Sequence, residues 1–159
     1  MPPPPRLGAT RLDHVLGRGA SGVVWAGTFA DPFLGRVPVA VKVLAADKLT
    51  DDARARFARE VRAVAALSHP GIVEALDTGV VPAGLAGLQA GAPYLVMRRA
   101  EADLAHRPPA RRWDAVEEVV VQVLEALAHA HARGVLHRDI KPANVLLEER
   151  GYVVDPRLT

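Results

Sequence analysis

The chain has 159 residues, half of them apolar and 24% charged, with a net charge of +2. That length suits one domain, or one and a fragment, with enough apolar surface for a real core, and so small a net charge gives no reason to invoke nucleic acid. Cysteine is absent, which excludes disulfides, thiolate metal sites and cysteine nucleophiles and fits a cytoplasmic compartment.

Met1 is followed by Pro2 to Pro5. Such a run favours an extended, solvated segment, so residues 1–10 read as a disordered tail. It lacks the apolar stretch after a basic start that marks a signal peptide. No run of about 18 apolar residues reads as membrane-spanning. The longest stretch, Val119 to Ala128, is broken by Gln122 and Glu125.

From Leu12 to Val43 the chain reads as antiparallel strands, with Val15-Leu16, Val23-Val24-Trp25 and Val39-Ala40-Val41 split by Gly and Pro. Gly17, Gly19 and Gly22 lie between the first two runs. Together they allow a tight turn whose free N–H groups can face phosphate oxygens. A glycine-rich hairpin without a ligand is an equal alternative for this stretch alone. A dinucleotide fingerprint needs a helix after the glycines, whereas a strand-like run containing Trp25 follows here. Lys42 lies inside the apolar run Val39 to Leu44, where its charge needs either a partner or the solvent face.

Asp51-Asp52 can start a helix that the good formers from Ala53 to Leu67 continue. Phe57, Val61, Val64 and Leu67 form its apolar stripe. Glu60 sits beside that stripe as a candidate partner for Lys42, with surface pairing to Arg56 or Arg59 as the alternative. Strands are expected at Ile72 to Leu76 and Tyr94 to Met97, with Gly79 to Pro93 as loop. Pro108-Pro109 then breaks the chain. Trp113 to Arg133 reads as an amphipathic helix with Val116, Val120, Val123, Leu124 and Leu127 on one face. His129 and His131 point to different sides of it, which argues against a joint metal site. Gly134 ends the helix.

The stretch Val135-Leu136-His137-Arg138-Asp139-Ile140-Lys141-Pro142-Ala143-Asn144-Val145-Leu146-Leu147 follows at once. Asp139 can accept a proton, Lys141 can steady negative charge, and Asn144 can hold a metal. A sharp turn between apolar walls can point all three at one spot. The bland alternative is a charged surface loop. A turn at Glu148 to Gly151 and a short strand, Tyr152 to Val154, lead to Asp155.

These pieces, in this order, resemble the eukaryotic-type serine/threonine protein kinase domain in its bacterial-like form. The resemblance rests on the glycine loop, Val39-Ala40-Val41-Lys42, Phe57 to Glu60 with the following Leu67-Ser68-His69-Pro70, and the His-Arg-Asp loop with Lys-Pro-x-Asn. It covers residues 12–147. It implies an α+β kinase-like fold: a five-stranded antiparallel N-lobe with one helix over residues 11–97, then a hinge and partial helical C-lobe over 98–159. It also implies transfer of a phosphoryl group from ATP, with magnesium, to a protein Ser or Thr hydroxyl. Asp139 would orient the hydroxyl and accept its proton, and Lys141 would face the transferring phosphate. Asn144 and Asp155 would hold Mg2+, and Lys42 would pair with Glu60 and with ATP phosphates. Gly17, Gly19 and Gly22 would shape the loop over those phosphates, with Leu16, Val24, Ala40 and Leu146 around the adenine, Met97 behind it and Arg98-Arg99-Ala100 as the hinge.

Two departures stand out. Asp155 is followed by Pro156-Arg157 instead of Phe-Gly, and the interval from Asn144 to Asp155 is shorter than usual. The family's activation segment and substrate-binding helices are not in this sequence, so a truncated domain is expected, with a C-lobe face open to a partner. The alternative is a catalytically inactive nucleotide-binding or scaffold module.

Overall fold

The computed structural model describes residues 4–19, 22–45, 49–85, 87–108, 112–148 and 151–155. Expectations resting on Pro2, Pro3, Pro109, Glu149, Arg150, Pro156 and Arg157 lie outside them. The described chain divides into two compact units, the first from residues up to 62 and from 75 to 99, the second from 63 to 74 and from 100 onward. The expected division at 97/98 falls close to the crossing at 99/100. It misses that residues 63–74 belong with the later half.

The first unit is built on strands β1 (Arg6–Leu7), β2 (Thr10–Gly19), β3 (Gly22–Asp31), β4 (Gly35–Leu44), β5 (Ala75–Val80) and β6 (Pro93–Arg98). They form one antiparallel sheet in the order β1-β2-β3-β4-β6-β5. Alternation decides its faces. Val37, Val39, Val41 and Val43 on β4 are buried in a cluster with Tyr94 and Val96 of β6, while Arg36, Ala40 and Lys42 point the other way.

Six strands stand where five are expected, and the expected tail is corrected. Leu7 and Thr10 are fully buried, and Leu12 N–H donates to Pro5 O at 2.9 Å. Burying one leucine stabilises by about 1.5–3 kcal/mol, enough to tie down a two-residue strand that composition marks as loose. The strand expected at Ile72 to Leu76 begins only at Ala75. Ile72 instead forms a parallel bridge with Val154 in the second unit.

Helix α1 (Asp51–Ala65) contributes its residues up to 62 to the first unit. Its cap is Thr50, whose Oγ1 accepts from Ala53 N–H at 3.2 Å. Asp51 and Asp52 lie one step inside, in the first turn, where their charge favours the helix dipole. Phe57, Val61 and Val64 are buried as the periodicity predicts.

The second unit packs helix α2 (Trp113–His131) with a three-stranded antiparallel sheet of β7 (Ala102–Asp103), β8 (Val145–Glu148) and β9 (Gly151–Val154). Its core joins Ala126 and Ala130 of α2 to Ile72 and Val154, flanked by Leu67, Val123 and Val135. The expected inward stripe of α2 is therefore rotated: Val120 and Leu124 are 47% and 58% exposed. Small residues face inward because the backbone approaches closely there. A Cβ on Gly71 would lie 3.1 Å from Ala126 Cβ. Gln122 also faces inward, and its Oε1 accepts from Tyr152 N–H at 2.7 Å, which fastens β9 to the helix. Gly134 takes φ 74°, and Val135 N–H closes the helix end on Ala130 O at 3.0 Å. Among the described residues no helix is long and apolar enough to cross a membrane.

Candidate active site

In the second unit the turn after Gly134 leads into the polar loop. Arg138 has φ 63°, a left-handed conformation that costs a non-glycine residue about 1–2 kcal/mol. The turn it makes brings Asp139 N–H onto His137 Nδ1 at 3.2 Å. The other ring nitrogen, Nε2, lies 2.7 Å from Asp155 O. With Nδ1 accepting, Nε2 carries the proton and donates to that carbonyl. His137 thus ties the loop carrying Asp139 to the residue that follows β9.

Asn144 works from the other side. Pro142 to Asn144 form one 3-10 turn with proline at its start, and Asn144 is 7% exposed. Its Nδ2 donates to both Asp139 O and Asp139 Oδ2, each at 2.8 Å. Lys141 Nζ reaches the same Oδ2 at 3.3 Å. This pair is half open to water, so its Coulombic share is small and the buried amide does most of the holding. Three of the predicted residues, Asp139, Lys141 and Asn144, are therefore gathered around one carboxylate oxygen.

The β8–β9 hairpin settles where Asp155 stands. Val145 pairs with Val154, and Asp155 N–H donates to Asn144 O at 3.0 Å. Asn144 and Asp155 are consequently opposite one another, just past the end of the ladder. Their chemistry suits Mg2+, which favours oxygen donors and few protein ligands. Asn144 spends its NH2 on Asp139, so Oδ1 is the amide atom that could face an ion. Among the described residues no three His, Asp or Glu side chains cluster as a cage.

In the first unit β2 and β3 carry the glycines at the end of their ladder where β2 leads into β3. Gly17 is opposite Val24 and Gly19 opposite Gly22. Between Val15 and Gly17 the register slips by one, so Leu16 is the extra residue and is 43% exposed. The three glycines are not equivalent. At Gly22, with φ 146°, an added Cβ would fall 2.0 Å from Val43 O, whereas at Gly17 and Gly19 it would meet nothing within 4 Å. The fold needs glycine at 22 and leaves 17 and 19 unexplained.

Lys42 lies opposite Val24 on β3 and Leu95 on β6, and Ala40 lies opposite Met97. Val24, Ala40, Lys42 and Met97 therefore share the sheet face away from the valine core. Glu60 lies on α1 in the same unit, half-buried beside Val61. Leu146 belongs to the second unit, on β8 opposite Val153. His137 and Gln122 are the positioning residues that sequence reading left without a role. The signal for Gln122 was a lone amide within an apolar helix face.

The chain matches the protein kinase domain family over residues 10–158. A probable serine/threonine-protein kinase of Streptomyces coelicolor, SCO3848, is 39% identical over 159 residues, covering 96% of this chain and 23% of the relative. The serine/threonine-protein kinase PknK of Mycobacterium tuberculosis is 40% identical over 163 residues, covering 98% of this chain and 13% of the relative. Among solved structures, the kinase domain of M. tuberculosis PknI superposes with TM-score 0.70 and 31% identity, covering 93% of this chain and 57% of that one. The chain thus spans about a quarter or less of the curated relatives it matches. The order of glycine hairpin, strand lysine, helix glutamate and histidine-tethered aspartate agrees with a match that runs nearly end to end, and the chain belongs to the protein kinase domain family.

Proposed function

We propose that this chain carries the nucleotide-binding and phosphoryl-transfer machinery of a serine/threonine protein kinase using Mg-ATP. The observation that supports the reading most is the gathering of Asn144 and Lys141 on Asp139 Oδ2, with Asp155 directly across from Asn144. Asp139, held at both backbone and side chain, orients the acceptor hydroxyl and takes its proton. Lys141 steadies charge on the transferring group. Asn144 Oδ1 and the Asp155 carboxylate would hold Mg2+, which supplies charge neutralisation at the phosphate oxygens when bound. Lys42 pairs with Glu60 and addresses the phosphates. The glycine hairpin lays its backbone N–H groups along them, and Leu16, Val24, Ala40 and Met97 accept the adenine. Gly17 and Gly19 support this reading, because an open position that remains glycine suits a backbone meant to approach a ligand.

A second reading, a nucleotide-binding module without transfer, is favoured by one feature: Asp155 is followed by Pro156-Arg157. Two measurements separate them. Thermal-shift titration with Mg-ATP should stabilise the chain, and Lys42→Ala should abolish the shift. Labelled ATP with a basic protein acceptor should give transfer that Asp139→Ala lowers by about 10²-fold or more. Absence of any shift at millimolar nucleotide overturns both readings, and binding without transfer selects the second.

A further inference from the structure

Within the second unit, His69 and His129 meet ring to ring, with centroids 4.9 Å apart and planes inclined at 42°. Each ring is set where an added proton breaks something. His69 Nδ1 accepts from Gly71 N–H at 2.9 Å, so a proton on that nitrogen would displace the bond. His129 Nε2 is buried and has no hydrogen-bond partner among the described residues. In the charged ring that nitrogen carries an N–H, which would stand there without an acceptor.

The surroundings do not relieve the charge. On α2, Arg133 stands one turn further on, its Nη1 donating to His129 O at 3.1 Å, and Glu125, one turn back, is exposed. From the facing segment the titratable group is His69 itself, and β9 meets this part of α2 through the apolar Val154. Burial first, then the positive charges of Arg133 and His69, hold the His129 pKa below the ordinary histidine value.

The contact also lies one link from the site. Gly71, which His69 holds, accepts at its carbonyl from Val154 N–H at 2.8 Å, and Val73 N–H donates to Val154 O at 3.2 Å. Val154 is the last residue of β9 and directly precedes Asp155. We propose that the His69–His129 contact is a proton-sensitive latch: protonation of His129 parts the rings, releases Gly71 and frees the end of β9, so that Asp155 loses its fixed position opposite Asn144. Only the consequence for Mg2+ rests on the proposed function; the latch itself does not. A released ring takes its proton near pH 6.5. The latch is therefore fully closed above about that pH and weakens as pH falls below it.

The test is amide hydrogen exchange of the whole chain without nucleotide at pH 7.5 and 5.5, corrected for the intrinsic pH dependence of exchange. Protection of Val73 and Val154 should fall by about three- to tenfold at the lower pH, while Val41 and Val96 in the first unit keep theirs. His129→Phe, which retains a ring against His69 without a titrating nitrogen, should abolish the fall. The proposal is overturned by pH-independent protection in the parent chain, by a fall shared with Val41 and Val96, or by a fall that persists in His129→Phe. A second arm measures the Mg2+ dependence of the ATP thermal shift at both pH values in parent and variant. Weakening at pH 5.5 in the parent alone supports the link to Asp155, and equal weakening in both overturns that link. Latch opening in a chain that binds no Mg-ATP at either pH supports the latch and overturns the nucleotide reading, so the two fail separately.

Discussion

Replacing each glycine of the β2–β3 hairpin in turn separates what the fold requires from what a ligand requires. In Gly22→Ala the new methyl would stand 2.0 Å from Val43 O and 3.0 Å from Val43 C. A tolerable contact needs more than 1 Å of additional separation, and the obstacle is backbone of β4 itself. The φ of 146° adds a conformation that alanine avoids, at about 1–3 kcal/mol. Forcing the strands apart adds about 1–3 kcal/mol more. A loss of roughly 2–6 kcal/mol follows, which at this chain length lowers Tm by about 5–20 °C. Gly17→Ala and Gly19→Ala meet no atom within 4 Å and should melt within about 2 °C of the parent. On the proposed function these two should nonetheless weaken the Mg-ATP thermal shift, because a methyl would stand between backbone and phosphate. The assay is thermal denaturation of the three variants with and without Mg-ATP. If Gly22→Ala melts with the parent, the steric reasoning fails. If Gly17→Ala and Gly19→Ala bind nucleotide like the parent, these glycines have no part in the phosphate site.

Gln122→Ala removes the acceptor for Tyr152 N–H and should cost about 1–3 kcal/mol, with faster amide exchange concentrated in β8 and β9. Asn144→Ala deletes both donors to Asp139; it should lower stability by a similar amount and make nucleotide binding insensitive to Mg2+, whereas unchanged Mg2+ dependence would remove Asn144 from the metal site. His129 has its pKa lowered, first by desolvation and then by Arg133 and His69. A lowered histidine pKa means that the unfolded chain binds the proton more readily, so stability is full above about pH 6.5 and declines as pH falls below it. His129→Leu should flatten that part of the Tm–pH curve, and an unchanged slope would assign the loss to other groups.

The sequence made the strands legible where alternation was strong, as in Val37 to Val43, and failed where burial depended on distant partners. Arg6–Leu7 is too short to show a period, and Pro5 and Gly8 on either side mark it as loop. Only pairing with Thr10 and Arg11 makes it a strand. Ile72 has strand-forming character but spends it on a bridge to Val154, a partner far along the chain. For α2 the difficulty was excess. Val116, Val119, Val120, Val121, Val123, Leu124 and Leu127 cover so wide an arc that periodicity cannot select a side. The buried side was chosen by Ala126 and Ala130, which are small enough for the Gly71 backbone to approach.

The site was more legible than the fold around it, and for a physical reason. Asp139, Lys141 and Asn144 lie within one loop, so a single turn suffices to bring them together, and the letters of that turn are contiguous. Asp155 lies beyond a hairpin, and counting residues from Asn144 made its register doubtful. A hairpin places its ends opposite one another whatever its length, provided both strands change together. Val145 lies opposite Val154 and Asp155 N–H donates to Asn144 O, so in this hairpin Asp155 stands across from Asn144. His137 then reinforces that position by holding Asp155 O with Nε2 and Asp139 N–H with Nδ1. The loop's histidine is therefore what couples the register of β9 to the orientation of Asp139. Any account of Asp155 as a metal ligand depends on that ring as much as on its own carboxylate.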